Sequence, residues 1–237
     1  MGINSSIFID GLSLEYHEFI REKFSPWGRI SPFLALDSIS LEISEGETVA
    51  IIGRNGAGKS TLLRCIAGLL RPSQGSIQTR GRVILLAGVD PGFLPDLTGR
   101  QNVIELGRGY GIEPDEISSF SDSIEDFTQL GEAFDRRFGG YSTGMRGKLG
   151  FGFITALEPD VLLIDETLGV GDREFRKKAQ DRLRGFISKS GTVLISTHSL
   201  GLAKELCQRG VVIENGRVFF EGQIEDSVKQ YVSLADK

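Results

Sequence analysis

Cysteine is nearly absent from this chain. Cys65 and Cys207 are the only two in 237 residues. They are too few for a disulfide framework, and neither belongs to a Cys-x-x-Cys metal or redox pair. Two reduced helical cysteines in a reducing compartment are expected. No apolar run approaches the ~18 residues that a spanning helix needs. Met1 to Asp10 lacks the basic start and apolar stretch of a secretory signal, so none is expected. Basic charge is not in excess: 27 Lys and Arg stand against 32 Asp and Glu, a net charge of −5. That balance argues against a nucleic-acid-binding domain as the main purpose. No internal repeat or low-complexity stretch is visible.

Glycine is abundant, 31 of 237 residues. That is well above a usual share of ~7%, and it predicts tight turns and close backbone approaches. The run Gly53-Arg54-Asn55-Gly56-Ala57-Gly58-Lys59-Ser60-Thr61 fits G-x-x-x-x-G-K-[ST], the phosphate-binding P-loop. Glycines let backbone N–H groups close on phosphate oxygens, and the following helix turns its positive end toward the anion. Lys59 can bridge β- and γ-phosphates, and the Ser60 hydroxyl can ligate Mg²⁺. The context agrees. Thr48–Ile52 reads as a buried strand, Leu62–Ala67 as a helix, and Gly68 as its stop.

Coarse patterning places the rest. Ile7–Ile9 and Leu12–Leu14 suggest a strand pair, and Ile39, Leu41 and Ile43 alternate as in a half-buried strand. Between them, His17 to Leu34 is long for a connection. It carries Phe19, Phe24, Trp27 and Phe33, which either fold back on the core or offer a surface to a partner. His17 is expected at the surface. Ser76–Thr79 and Val83–Leu86 read as strands. From Thr98 to about Ala133 the pattern turns helical and polar. Thr98-x-x-Gln101 has the form of a capping box, and Pro114-Asp115-Glu116 that of a helix start. Val161–Asp165 and Thr192–Ser196 are further buried strands, separated by a helix near Glu174–Ser188. Asn215-Gly216 marks a hairpin, followed by a last helix at about Gln223–Ala235. Short β-branched runs alternating with helices imply a mainly parallel α/β sheet.

Val161–Ile164 ends in two carboxylates, at the strand end where α/β sheets bind ligands. Asp165 can hold Mg²⁺, and Glu166 can polarise an attacking water as general base. His198 follows another strand end and can hydrogen-bond a γ-phosphate or that water. Tyr141-Ser142-Thr143-Gly144-Met145 precedes a helix and offers a second, weaker anion-binding arrangement.

Together these residues resemble the nucleotide-binding subunit of ATP-binding-cassette (ABC) transporters, over nearly the whole chain. Gly53–Thr61 matches that family's Walker A, and Val161–Glu166 its Walker B with the catalytic Glu. Asp172 falls at the D-loop position, and His198 at the switch histidine. Tyr141–Met145 occupies the signature position, with Thr143 where the common form has glycine. This Tyr-Ser-Thr-Gly-Met form resembles the branch exporting bacterial cell-surface polysaccharides such as O-antigen, capsule and teichoic acid. The stretches Gly92–Asn102 and Asp165–Asp172 are similar to the same branch.

The resemblance implies one nucleotide-binding domain over residues 1–237. It would be an α/β P-loop ABC ATPase with a mainly parallel sheet: an antiparallel β-subdomain at 1–48, a core at 49–87 and 155–237, and a helical subdomain inserted at 88–154. It implies ATP and Mg²⁺ as cofactors. ATP would be held by Gly53, Asn55, Gly56, Ala57, Gly58, Lys59, Ser60 and Thr61, with Tyr16 stacked on adenine, or Trp27 or Phe33 in its place. Mg²⁺ would be held by Ser60 and Asp165. At the family's Q-loop Gln position, Ala87–Asp90 offers only Asp90 as a polar side chain for that loop's contact with Mg²⁺ and water. Lys59, Glu166 and His198 would be catalytic. Ser142, Gly144 and Asp172 would serve across a homodimer, with Ser142 and Gly144 on the γ-phosphate bound by the second copy. A separate transmembrane permease would contact the polysaccharide and dock near Leu94–Arg108, so the chain would sit on the cytoplasmic face of the inner or plasma membrane. No nucleic-acid partner is expected. The competing readings are export of another substrate, a non-transport ABC ATPase acting on ribosomes or DNA, and a nucleotide-binding module without turnover.

Overall fold

Continuous apolar runs such as Thr48–Ile52 and Val161–Ile164 need cover on both faces of a sheet. The computed structural model describes residues 5–20, 29–87, 91–165, 171–189 and 191–235, and it supplies that cover. In chain order its elements are β1 (Ser5–Ile20), β2 (Arg29–Ser44), β3 (Thr48–Ile52), α1 (Lys59–Ile66), β4 (Gln74–Thr79), β5 (Val83–Ala87), α2 (Gly99–Gly109) and α3 (Ile117–Thr128). There follow α4 (Thr143–Ala156), β6 (Val161–Asp165), α5 (Arg173–Ser188), β7 (Thr192–Ser196), α6 (Leu200–Leu206), β8 (Arg209–Glu214), β9 (Arg217–Gln223) and α7 (Ile224–Ala235). Short 3-10 turns at Gly131–Asp135 and Phe138–Gly140 join α3 to α4.

The larger sheet has the order β5-β6-β7-β3-β8-β9. Its first five strands are parallel, and β9 closes the edge as an antiparallel hairpin with β8. Successive residues of each central strand enter opposite cores. Val49, Ile51, Leu163 and Leu194 pack toward α1 and the second sheet. Ala50, Ile52, Leu162, Ile164, Val193 and Ile195 pack toward the helices. The period-2 alternation of a strand thus serves two hydrophobic layers, and so no polar face interrupts these runs.

The smaller sheet, β2-β1-β4, is antiparallel. Three sequence expectations are corrected here. Ile7–Ile9 and Leu12–Leu14 do not pair with each other. They are one strand, β1, whose register shifts between Ile9 and Leu12, around Gly11 at φ 57°. His17–Leu34 is mostly not a connection, because β1 runs on to Ile20 and β2 begins at Arg29. Trp27, Phe24 and Pro26 lie outside the described residues, as does the Phe19 side chain. β4 falls within residues 49–87, expected to belong to the core with the parallel sheet, but it pairs with β1 of the smaller sheet and not with the larger one. Its mostly exposed residues carry no signal of which sheet they join.

The helical region is built around aromatic rings. Phe153 meets Phe93, Tyr110 and Phe120 edge-on at centroid distances of 5.7, 5.8 and 5.8 Å. The C-terminal half of α4 is buried all round, so it is an interior helix and not an amphipathic surface one. The capping box forms as expected: Thr98 Oγ1 accepts from Gln101 N, and Gln101 Oε1 from Thr98 N. Arg100 binds Asp122, Glu125 and Asp135 at 3.2, 2.5 and 2.8 Å and so ties α2 to α3 and the following turn. The helix after Pro114 starts at Ile117, with Glu116 at its N-cap. Both cysteines are buried, Cys65 on α1 and Cys207 just past α6, and burial pushes their thiols up to about 11 and about 12. No helix among the described residues is long and apolar enough to cross a membrane.

Candidate nucleotide site

Parallel pairing aligns the carboxyl ends of the central strands. Asp165 of β6 lies opposite Ser196 of β7, and Ser196 opposite Ile51 of β3. The P-loop leaves β3 at that edge, Asp165 ends β6 there, and His198 follows β7 there. Topology therefore brings together three groups that are more than 100 positions apart at the extremes, the arrangement of a ligand site at strand carboxyl ends.

Ser60 Oγ donates to Asp165 Oδ1 at 3.0 Å. Lys59 is 7% exposed, and its ammonium donates to the carbonyls of Gly53 and Arg54 at 2.8 and 3.0 Å. Gly56 and Gly58 hold φ of 79° and 107°, the left-handed region that glycine adopts without strain. Gly58 is the N-cap of α1 and provides no side-chain cap, so α1 presents its positive N-terminal end at the loop.

A cleft of about 260 Å³ opens above this loop. Asn55, Gly56, Gly58, Lys59, Ser60 and Thr61 line it from the P-loop, His198 from beyond β7, and Tyr16, Phe33 and Ala35 from β1 and β2. Tyr16 and Phe33 are direct cross-strand partners, so two aromatic side chains stand side by side at the cleft. Phe33 is 55% exposed, which answers in part whether the aromatics of that stretch fold into the core. Sequence reasoning missed Ala35. A small apolar residue carries no chemical signal, and only β1–β2 pairing brings it here.

The signature residues form a second group. Ser142 is the N-cap of α4 and accepts from Met145 N at 3.3 Å. A Cβ on Gly144 would lie 3.9 Å from Gly171 Cα, so the signature abuts the turn before α5. Asp172 caps α5 by accepting from Phe175 N at 2.9 Å and pairs with Lys148 of α4 at 2.6 Å. That ammonium, with the Phe175 amide, holds the Asp172 carboxyl at about 2. None of Ser142, Gly144 and Asp172 lines the P-loop cleft. Glu166 and Asp90 lie outside the described residues. A larger cavity, about 610 Å³, lies among the amino ends of the strands. Arg80, Arg182 and Lys189 balance Glu45, Glu158 and Asp160 there, and no residue singled out from the sequence lines it.

Residues 36–169 match the family model described as ABC transporter. The O-antigen export system ATP-binding protein RfbB of Klebsiella pneumoniae is 41% identical over 199 residues, covering 84% of this chain and 81% of that protein. The ABC transporter protein AbcA of Aeromonas salmonicida is 39% identical, covering 89% of this chain and 68% of that protein. Among solved structures, an ATP-binding cassette in a dimeric post-hydrolysis state bound to ADP and Pi superposes with a TM-score of 0.74 at 21% identity, covering 92% of this chain and 98% of that one. The ATP-binding subunit of an ABC transporter matches with the same TM-score at 24% identity, covering 95% and 93%. With its P-loop, strand-end carboxylate and histidine set on that fold, the chain belongs to the ABC transporter family.

Proposed function

We propose that this chain is the ATP-hydrolysing subunit of an exporter of lipid-linked cell-surface polysaccharide. The observation that carries the ATPase reading is the Ser60–Asp165 contact at 3.0 Å. A hydroxyl next to the P-loop lysine and a strand-end carboxylate meet at one point, and two hard oxygen donors of this kind suit Mg²⁺. Bound there, Mg²⁺ supplies charge neutralisation to the phosphates. Around it Lys59 and the loop N–H groups bind phosphate oxygens, Tyr16 and Phe33 offer the base a stacking wall, and His198 faces the terminal phosphate. Glu166, adjacent to Asp165, takes the proton of the attacking water.

The separation of Ser142, Gly144 and Asp172 from the P-loop cleft supports a site completed by a second copy. In a homodimer the signature of one copy serves the nucleotide of the other. A transmembrane permease then converts dimer closure into export, with this chain on the cytoplasmic face of the membrane. The relatives named for O-antigen export supply the substrate class, and the Tyr141–Met145 form agrees with them.

Glu166→Gln tests the mechanism. Steady-state phosphate release should be abolished while an ATP-bound dimer persists in size-exclusion chromatography. Full turnover by this variant would sink the general-base assignment.

A further inference from the structure

We infer that the turn of the β8–β9 hairpin is a brace that sets the shape of the P-loop, with Gly216 as a positioning residue for nucleotide binding. The inference rests on the nucleotide-site reading above and concerns how that site is held.

The hairpin touches the loop at three positions. A Cβ on Gly53 would meet the Ile213 carbonyl oxygen at 2.4 Å, so the end of β8 lies directly against the first loop residue. Gly216 N donates to the Ala57 carbonyl at 3.0 Å. A Cβ on Gly58 would lie 3.6 Å from Gly216 Cα. The Ala57 contact has a directional consequence. The carbonyl and N–H of a trans peptide point opposite ways, so the turn that holds the Ala57 carbonyl also fixes the direction of the Gly58 N–H, one of the loop amides that a phosphate cradle uses.

The turn is itself anchored to the strand that walls the cleft. Asp37 N donates to the Gly216 carbonyl at 2.9 Å, and Arg217 Nε donates to Asp37 Oδ2 at 2.7 Å. Gly216 sits at φ 76° with almost no space around it. A Cβ there would meet the Ala35 carbonyl oxygen at 2.7 Å and Leu36 Cα at 3.2 Å. The same Ala35 carbonyl lies 2.8 Å from the Cβ position of Gly58. Ala35–Leu36 is thus held between Gly58 and Gly216, and a side chain on Gly216 displaces backbone and not a flexible side-chain end. The disturbance passes to the P-loop and to Ala35 at the cleft wall.

The test is titration of the whole chain with Mg²⁺ and the slowly hydrolysed analogue ATPγS by calorimetry, alongside nucleotide-free thermal unfolding. Gly216→Ala should bind about tenfold more weakly or worse, since a ~1 Å misplacement of a binding group can cost 10²-fold. The control is Gly111→Ala. Gly111 has φ 84° with nothing within 4 Å of its Cβ position, so that variant carries the backbone strain without the displacement. It should bind as the unaltered chain does. A second variant inserts one glycine between Asn215 and Gly216. Asn215 is exposed and gives the added residue room on its solvent side, whereas Gly216 is buried, and the insertion moves the Gly216 N–H away from Ala57. It too should lose affinity at an unfolding midpoint near that of the control. Native affinity in a folded Gly216→Ala or insertion variant overturns the brace. Failure of the unaltered chain to bind ATPγS overturns the nucleotide site and the brace with it.

Discussion

Tyr141→Phe separates packing from hydrogen bonding at the head of the signature segment. Tyr141 is 6% exposed, and its ring sits 5.2 Å from that of Phe138. Its hydroxyl donates to the Ala133 carbonyl at 2.5 Å. Phenylalanine keeps the ring contacts and loses this bond. The Ala133 carbonyl also accepts from Arg136 N at 3.0 Å, so the substitution does not orphan it. The cost at neutral pH is therefore the net worth of one hydrogen bond, about 1 kcal/mol, and not the larger penalty of an unsatisfied group.

The pH dependence is the sharper part. Burial, reinforced by Asp135, raises the Tyr141 phenol from 10.0 to about 12. The folded chain therefore holds this proton more tightly than the unfolded chain. The resulting stability is complete below pH 10 and is lost as pH rises through 12. Two units correspond to about 3 kcal/mol. The phenylalanine variant lacks this loss, so the stability order should reverse in alkali. Urea unfolding of both proteins from pH 7 to 12 measures the gap, with other titrating groups cancelling in the difference. A gap of constant size and sign across that range refutes the reasoning.

Lys59→Ala should weaken ATP binding by about tenfold or more, through loss of a phosphate-binding cation in a shielded site. Cells relying on that variant should lose their surface polysaccharide. Unchanged nucleotide affinity contradicts the P-loop reading, and unchanged surface glycan contradicts the substrate class. Ser60→Ala removes the hydroxyl that meets Asp165. Hydrolysis should need far more Mg²⁺, with folding stability altered by no more than about 1 kcal/mol; an unaltered Mg²⁺ titration argues against metal ligation here. Phe153→Ala empties the centre of the aromatic cluster, where this residue is 0% exposed. It should cost about 3–5 kcal/mol in urea unfolding, and a loss under 1 kcal/mol would mean the cluster is not a packed core.

Much of the fold was legible because the signals are local. The P-loop, the capping box at Thr98, the strands Val161–Asp165 and Thr192–Ser196 and the Asn215-Gly216 turn each depend on a few adjacent residues, and all lie where expected. The misread segments are those governed by long-range pairing. β1 passes through a bulge at Gly11 that splits its alternation into two apparent strands. β4 has too little buried surface to announce its sheet. The extent of the β1–β2 arm depends on cross-strand partners that no local pattern reveals.

The sequence by itself supplied the candidate groups: a loop of P-loop form, a strand-end carboxylate pair and a histidine, readable from residue type and spacing, and a signature segment recognised through its family resemblance. Only the tertiary structure decided their grouping. Parallel strand order brings Ser60 to Asp165 across 105 positions, and the β1–β2 arm brings Tyr16 and Phe33 to the same cleft. The helical packing holds Ser142, Gly144 and Asp172 elsewhere. Hairpin packing also sets Gly216, a turn residue by sequence, against the P-loop, with its N–H on the Ala57 carbonyl. The physical reason is that side-chain chemistry is local, whereas proximity is set by strand register and by the cores that the strands bury.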